Sequence, residues 1–143
     1  MSRGLGDVYK RQWMRTICNE FYGTEEIHGY GYGQDEDQGQ LGAWYVMASM
    51  GLFDAKGLTA PDPTFQIGSP LFDKVTIRLN PDYYTGKELV IETTGNTPEN
   101  YYIGSLELDG KPLQSVQLPF SEVVGGGTLR VNLAAEPNTQ LNK

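Results

Sequence analysis

The sequence predicts an α+β chain, with a helical first part followed by an antiparallel β region. Two observations carry this. Apolar residues recur every three or four positions before residue 53, the period of a helix face. After residue 66 they alternate every second position, the period of a strand. A third observation sets the division, because residues 57–65 are rich in Pro, Gly and Thr and read as a linker. The resulting organisation is a leader over 1–12, a helical part over 13–56, a linker over 57–65 and a β region over 66–143.

Each element follows from its own pattern. Trp13, Ile17 and Phe21 form one row, Met14, Cys18 and Tyr22 form the row beside it, and Gly23 suits a C-cap. Residues 23–39 read as a long loop, rich in glycine, tyrosine and acids, of the kind that often carries function. Helix returns from Gln40 to Leu52, with Leu41, Trp44, Tyr45, Ala48 and Leu52 in one stripe. Strand faces then follow at Val75, Ile77 and Leu79, at Leu89 and Ile91, and at Ile103, Leu106 and Leu108. Asp109-Gly110 is a hairpin signal, across which Val116 and Leu118 are expected to pair. Leu129, Val131 and Leu133 make the last strand, after a turn at Gly125-Gly126-Gly127. About 40 helical residues are too few to sustain a core of their own, so the aromatic helix faces call for further helical partners upstream.

Composition narrows the function. The chain has 143 residues, 11 basic and 18 acidic, for a net charge of −7. Nucleic-acid binding needs a basic footprint and is not expected. No apolar run approaches membrane-spanning length, and no apolar signal-peptide core is visible. One cysteine, Cys18, excludes an internal disulfide and a cysteine zinc cluster, and one histidine, His28, excludes a His-pair metal site. Cys18 sits on an apolar face and reads as an inert buried thiol. Ser69 lies outside any G-x-S-x-G elbow. Gly125-Gly126-Gly127-Thr128 lacks the lysine of a phosphate loop.

Met1 to Gln12 shows no apolar periodicity. Asp7-Val8-Tyr9-Lys10-Arg11-Gln12 resembles the translation of a transposase adapter end used in sequencing libraries, so the leader is set aside as foreign to the fold. The remainder carries 8 positive and 17 negative charges, net −9, and reads as the C-terminal end of a longer protein.

The acidic stretch before the second helix is the most informative. Asp35, Glu36 and Asp37 are consecutive like charges just ahead of a helix N-terminus. The helix dipole and free N–H groups there favour carboxylates and hold them ionised. An ionised carboxylate suits a general base or a cation ligand rather than a general acid. Asp35 and Asp37 are two apart and share one side of an extended segment. Read as an EF-hand from Asp35, the segment fails, because the required Gly and Glu positions hold Gln40 and Val46. A solvated acidic loop is the plain alternative. Nearby, His28, Tyr30 and Tyr32 suit either a sugar subsite or loop packing, while Trp44 and Tyr45 read as core.

Four ordered motifs carry a resemblance. The stretch DEDQGQLGAWYVMASMGLF, from Asp35, is similar to the DEDxGxxSAWYVxxxMGFY segment of glycoside hydrolase family 92, the calcium-dependent exo-α-mannosidases. Asn19–Gly23 resembles the helix end that precedes it there. Ile67–Val75 resembles IGSPLFxKV, and Asn96–Ile103 followed by Leu108–Pro112 resembles the SPENxYI…LNGKP hairpin. Gly126-Gly127-Thr128-Leu129 also fits, and Gly42 departs from the usual Ser. The resemblance implies the last helices of an (α/α)6 barrel followed by an antiparallel β-sheet or sandwich segment. It implies an inverting mannosidase acting on mannose-containing glycans, with Asp35 and Asp37 as the general base and the general acid upstream. It further implies Ca2+ at the sugar, with ligands unassigned here, and an exported parent protein. The competing readings are a carbohydrate-binding or structural β-module, with Tyr83, Tyr84, Tyr101 and Tyr102 as candidate aromatics, or a different (α/α)6-barrel glycosidase.

Overall fold

A computed structural model describes residues 3–22, 39–54 and 56–141. Helix α1 (Arg3–Glu20) leads to α2 (Gln40–Met50), and two sheets follow. Strands β1 (Leu52–Phe53), β2 (Thr64–Ile67) and β7 (Gln117–Pro119) form a three-stranded antiparallel sheet in the order β1-β2-β7. Strands β3 (Lys74–Arg78), β4 (Glu88–Thr94), β5 (Tyr102–Leu108), β6 (Lys111–Pro112) and β8 (Gly127–Ala134) form the second sheet, in the order β3-β4-β8-β5-β6. A short helix, α3 (Phe120–Gly125), joins β7 to β8. The architecture is α+β, and no closed helical barrel forms among the described residues.

Helix α1 begins at Arg3, ten residues before the apolar periodicity starts. Periodicity marks the face a helix buries and not how far the helix extends; Arg3–Glu20 holds Gly4 and Gly6 but no proline. Helix α2 stops where the sequence demands. Gly51 sits at φ 76°, and its N–H bonds back to Ala48 O and Met47 O. That left-handed cap is one an L side chain resists.

Two pairings differ from the sequence expectation. The large sheet is mixed rather than antiparallel, because β8 enters between β4 and β5 and runs parallel to β4, with Leu89 opposite Gly127 and Ile91 opposite Leu129. The cause is α3. Its end docks at the start of β4, where Gly86 N–H donates to Val124 O at 3.1 Å. A Cβ on Gly86 would lie 2.5 Å from Gly125 backbone atoms. Strand β8 therefore starts at the same end of the sheet as β4. The Asp109-Gly110 turn forms as its sequence implies, with both residues at positive φ (49° and 77°) and Leu108 opposite Lys111. Val116 and Leu118 do not pair across it. They join the other sheet, Leu118 opposite Phe65 and Val116 O accepting from Ile67 N–H at 2.7 Å. Two-residue alternation gives which side faces the core but not which strand is the neighbour.

The core lies between the sheets. Leu89, Ile103, Leu129 and Val131 are fully buried, with Leu106, Leu118 and Ile67 almost so. Each such side chain contributes about 1.5–3 kcal/mol. The outer face of the large sheet carries Lys74, Glu92 and Arg130 in one cross-strand row, with salt bridges of 3.6 Å and 3.4 Å to Glu92.

The helices are fixed to the β region at one junction, built from two of the motifs above. Arg15 on α1 donates through Nη2 to Asn96 Oδ1 (2.8 Å) and through Nη1 to Asn100 O (3.3 Å). Asn96 Nδ2 in turn donates to Leu71 O and to Asp73 Oδ1, both at 3.0 Å. Ser69 Oγ donates to Tyr101 O at 2.6 Å. The same segment clamps the end of α2, with Gly68 N–H to Gly51 O at 2.8 Å and Leu71 N–H to Ser49 O at 3.0 Å. Thus Ile67–Val75 and Asn96–Ile103, remote in sequence, form one bracket that sets where both helices lie.

Candidate active site

The N-terminal end of α2 is the scaffold of the candidate site. Gly39 precedes it at φ 77° and ψ 9°, with no side-chain cap, and the Ala43 N–H to Gly39 O bond of 3.0 Å closes the first turn. That turn carries no acidic residue. Its positive end therefore meets no carboxylate from within the helix, and the nearest in sequence are Asp35, Glu36 and Asp37. The proposed base residues Asp35 and Asp37 lie outside the described residues, as do His28, Tyr30 and Tyr32.

Tyr22 holds this helix end in place. The ring lies just past α1 and stacks on Tyr45 at 4.8 Å and on Trp44 at 5.7 Å between centroids, each at 24° between planes. Its hydroxyl donates to Leu41 O at 3.2 Å, in the first turn of α2. Trp44 and Tyr45 are half-buried, in keeping with packing rather than free display. The sequence placed Tyr22 on a helix stripe and missed this role; the signal available was an aromatic just beyond the last helical turn. Trp13, Phe21 and Val46 stay exposed at 59%, 47% and 53%, so the helix pair alone does not cover its apolar surface.

Several of the remaining candidates are held by structural contacts. Cys18 is buried, and desolvation pushes its thiol pKa up, opposed by the nearby Arg15 guanidinium. Ser69 spends its hydroxyl on Tyr101 O. The glycine run after α3 carries no free anion cradle, because Thr128 N–H already donates to Asp109 Oδ1 at 2.7 Å. Of the four tyrosines, Tyr83 is 80% exposed and lies 6.5 Å from Tyr84, which also meets Phe120 edge-on at 6.4 Å, while Tyr102 is buried with Tyr101 against it at 4.6 Å. A shallow cleft of about 510 Å3 lies at the meeting of β4, α3 and β8, lined by Lys87, Glu88, Gly125 and Thr128 among others. Among the described residues no three His, Cys, Asp or Glu side chains gather as a metal site, and no helix is long and apolar enough to cross a membrane.

Comparison with known proteins accords with the motifs. Residues 9–135 match the glycosyl hydrolase family 92 catalytic domain. Among solved structures, the chain resembles the family GH92 inverting mannosidase BT2199 of Bacteroides thetaiotaomicron VPI-5482. The identity is 33% and the TM-score 0.73, over 93% of this chain and 17% of that one. It also resembles the family GH92 α-mannosidase BT3965 of Bacteroides thetaiotaomicron, at 25% identity and TM-score 0.76, again over 93% of this chain and 17% of that one. The gh92 family glycosyl hydrolase ccman5 matches at 27% identity and TM-score 0.67, over 84% of this chain and 15% of that one. A comparison with curated proteins finds no match. The chain spans about a sixth of the length of these solved proteins, at 17%, 17% and 15%. Motif order, fold and a family match over most of the chain agree, and the chain belongs to glycosyl hydrolase family 92, within its catalytic domain.

Proposed function

We propose that this chain is the C-terminal part of an inverting exo-α-mannosidase acting on mannose-containing glycans, and that it supplies the general base. The observation that carries the reading is the family match over residues 9–135 together with 33% identity to an inverting mannosidase. Inverting hydrolysis needs two carboxyl groups about 6.5–9.5 Å apart, one protonating the leaving oxygen and one activating water on the opposite face. Asp35 and Asp37 fit the second role, since they precede a helix N-terminus whose dipole favours the ionised form. The general acid is assigned to an upstream segment, as is the rest of the sugar pocket. In this reading residues 13–56 end the helical catalytic domain, and residues 66–143 brace it through the Arg15–Asn96 junction.

The resemblance also implies Ca2+ at the sugar, where it would contact the mannose and favour its distortion toward the transition state. Among the described residues no three His, Cys, Asp or Glu side chains gather around a common point, and the ligands of the ion stay unassigned. An exported parent follows from the same resemblance.

The test begins with the coding DNA upstream of the Trp13 codon. A frame that continues into a helical domain with a candidate acidic residue supports the reading. A genuine start signal ahead of Met1 defeats it. In the longer protein, Asp35→Asn and Asp37→Asn are expected to abolish mannose release while leaving the folded state intact. The 143-residue chain alone is expected to be inactive. Calcium-dependent mannose release by that chain would refute the assignment of the acid to another segment.

A further inference from the structure

Resting on the reading above for the identity of the sugar, we infer that the β3–β4 loop and the cleft beside it form a contact surface for the glycan chain, one that binds without reacting. Two features at one end of the large sheet carry this. The first is Tyr83, 80% exposed. Its loop is closed by Leu79 N–H donating to Lys87 O at 2.9 Å. The loop is braced on Asn80, whose O accepts from Tyr83 N–H at 3.1 Å and Tyr84 N–H at 3.0 Å, and whose Oδ1 accepts from Asp82 N–H at 2.9 Å. Tyr84 lies 6.5 Å from Tyr83 and is itself anchored edge-on against Phe120 at 6.4 Å. The exposed ring therefore stands on a fixed support, which lowers the ordering cost of binding. The second feature is the cleft of about 510 Å3 at β4, α3 and β8, a volume in the range of about 300–1,000 Å3 found for small-ligand sites. Gly86 N–H to Val124 O, at 3.1 Å, ties the loop to the cleft wall. Tyr83 stands four residues before Lys87 in the chain, so their Cα atoms lie within about 14 Å, the reach of a short oligosaccharide. The lining selects the ligand. Lys87 donates hydrogen bonds, Glu88 accepts them and Thr128 does both, while Val90 and the bare backbone of Gly125 and Gly127 leave an apolar floor. Lys87 and Glu88 oppose each other in sign and the chain is at net −7, which favours a neutral ligand over an anion. A sugar chain satisfies both features, with ring C–H groups for the tyrosine face and hydroxyls for the donors and acceptors. Glu88 is the one carboxyl group lining the cleft, so the acid and base pair of glycoside hydrolysis is not assembled there.

The test is affinity electrophoresis of the 143-residue chain through gels with and without a soluble α-mannan, with a soluble cellulose ether as the control polymer and circular dichroism to check each fold. The α-mannan is expected to retard the chain, and the control polymer is not. Tyr83→Ala and Lys87→Ala alter exposed side chains, and each is expected to weaken the apparent affinity about threefold to tenfold, the loss of one ring or one charged donor. No retardation of the unaltered chain overturns the inference, as does equal retardation by the control polymer. So does unchanged retardation in either variant, since loop and cleft are claimed as one surface. Where Tyr83→Ala does not fold, Tyr83→Leu, which keeps bulk and loses the ring, decides on the same criterion. The same gels are run with the longer family 92 protein that carries this segment, whose hydrolysis of an aryl α-mannoside is expected to be unchanged by Tyr83→Ala. Hydrolysis intact, with retardation unaffected by Tyr83→Ala, defeats the contact surface alone. Hydrolysis absent from the unaltered protein, with retardation still weakened by Tyr83→Ala, defeats the mannosidase reading and upholds the surface.

Discussion

Replacing Asn96 by Ala should loosen the helices from the β region. Its side chain accepts from Arg15 Nη2 at 2.8 Å and donates to Leu71 O and Asp73 Oδ1, both at 3.0 Å. A neutral bond contributes about 1 kcal/mol net, and one to a charged group about 1.5–3 kcal/mol. Asp73 is exposed and Asn96 only half-buried, so solvent replaces part of what is lost. Arg15 also keeps its 3.3 Å bond to Asn100 O. The expected destabilisation is about 2 kcal/mol, or about 1 M in the urea midpoint for a slope near 2 kcal/mol/M. Urea unfolding followed by far-ultraviolet circular dichroism measures it. A double-mutant cycle with Arg15→Met should then show a coupling of about 1 kcal/mol, since the two side chains touch. Effects that add to within about 0.3 kcal/mol would refute the bracket as an energetic unit.

Other substitutions test other parts of the structure. Gly86→Ala places a Cβ 2.5 Å from Gly125 backbone carbon and oxygen, which no rotamer relieves, and should lower stability by about 3 kcal/mol in the same unfolding assay. Leu129→Ala removes a side chain with no exposure from between the sheets and should cost about 3 kcal/mol or more. The Cys18 thiol, buried with its pKa raised by desolvation, should react with Ellman's reagent far more slowly in the native chain than in urea. Because its folded pKa is above the unfolded value, its stabilising contribution is complete below the ordinary thiol range and is lost as pH rises through the folded pKa. Native stability should therefore fall at alkaline pH, and Cys18→Ala should flatten that fall, as thermal unfolding across pH 7–11 (about four units, spanning the thiol range) would show.

Local patterns in the sequence carried the α+β class of the chain and most of its elements. Four-residue spacing from Trp13 and from Gln40 announced two helices, and Gly51 marked the end of the second, because a left-handed cap is written in one residue type. Alternation placed Leu89, Ile91, Leu129 and Val131 on the core side, and Asp109-Gly110 named its own turn. The acidic run and the motifs around it pointed to Asp35 and Asp37. These are local signals, each read from a short stretch.

Tertiary structure decided everything that depends on which remote segments meet. Spacing was silent on the start of α1, since periodicity marks a buried face and not the extent of a helix. The insertion of β8 beside β4 followed from α3 docking onto Gly86, a contact between backbones 39 residues apart with no signature in either stretch. Val116 and Leu118 were free to satisfy their alternation in either sheet, and the space between the sheets chose. Arg15, Asn96 and Asp73 are ordinary polar residues in the sequence, as Tyr22 is an ordinary aromatic one. Only folding brings 15 beside 96, or 22 beside 41 and 45, and it is that proximity which makes a bracket of the first set and a clasp of the second.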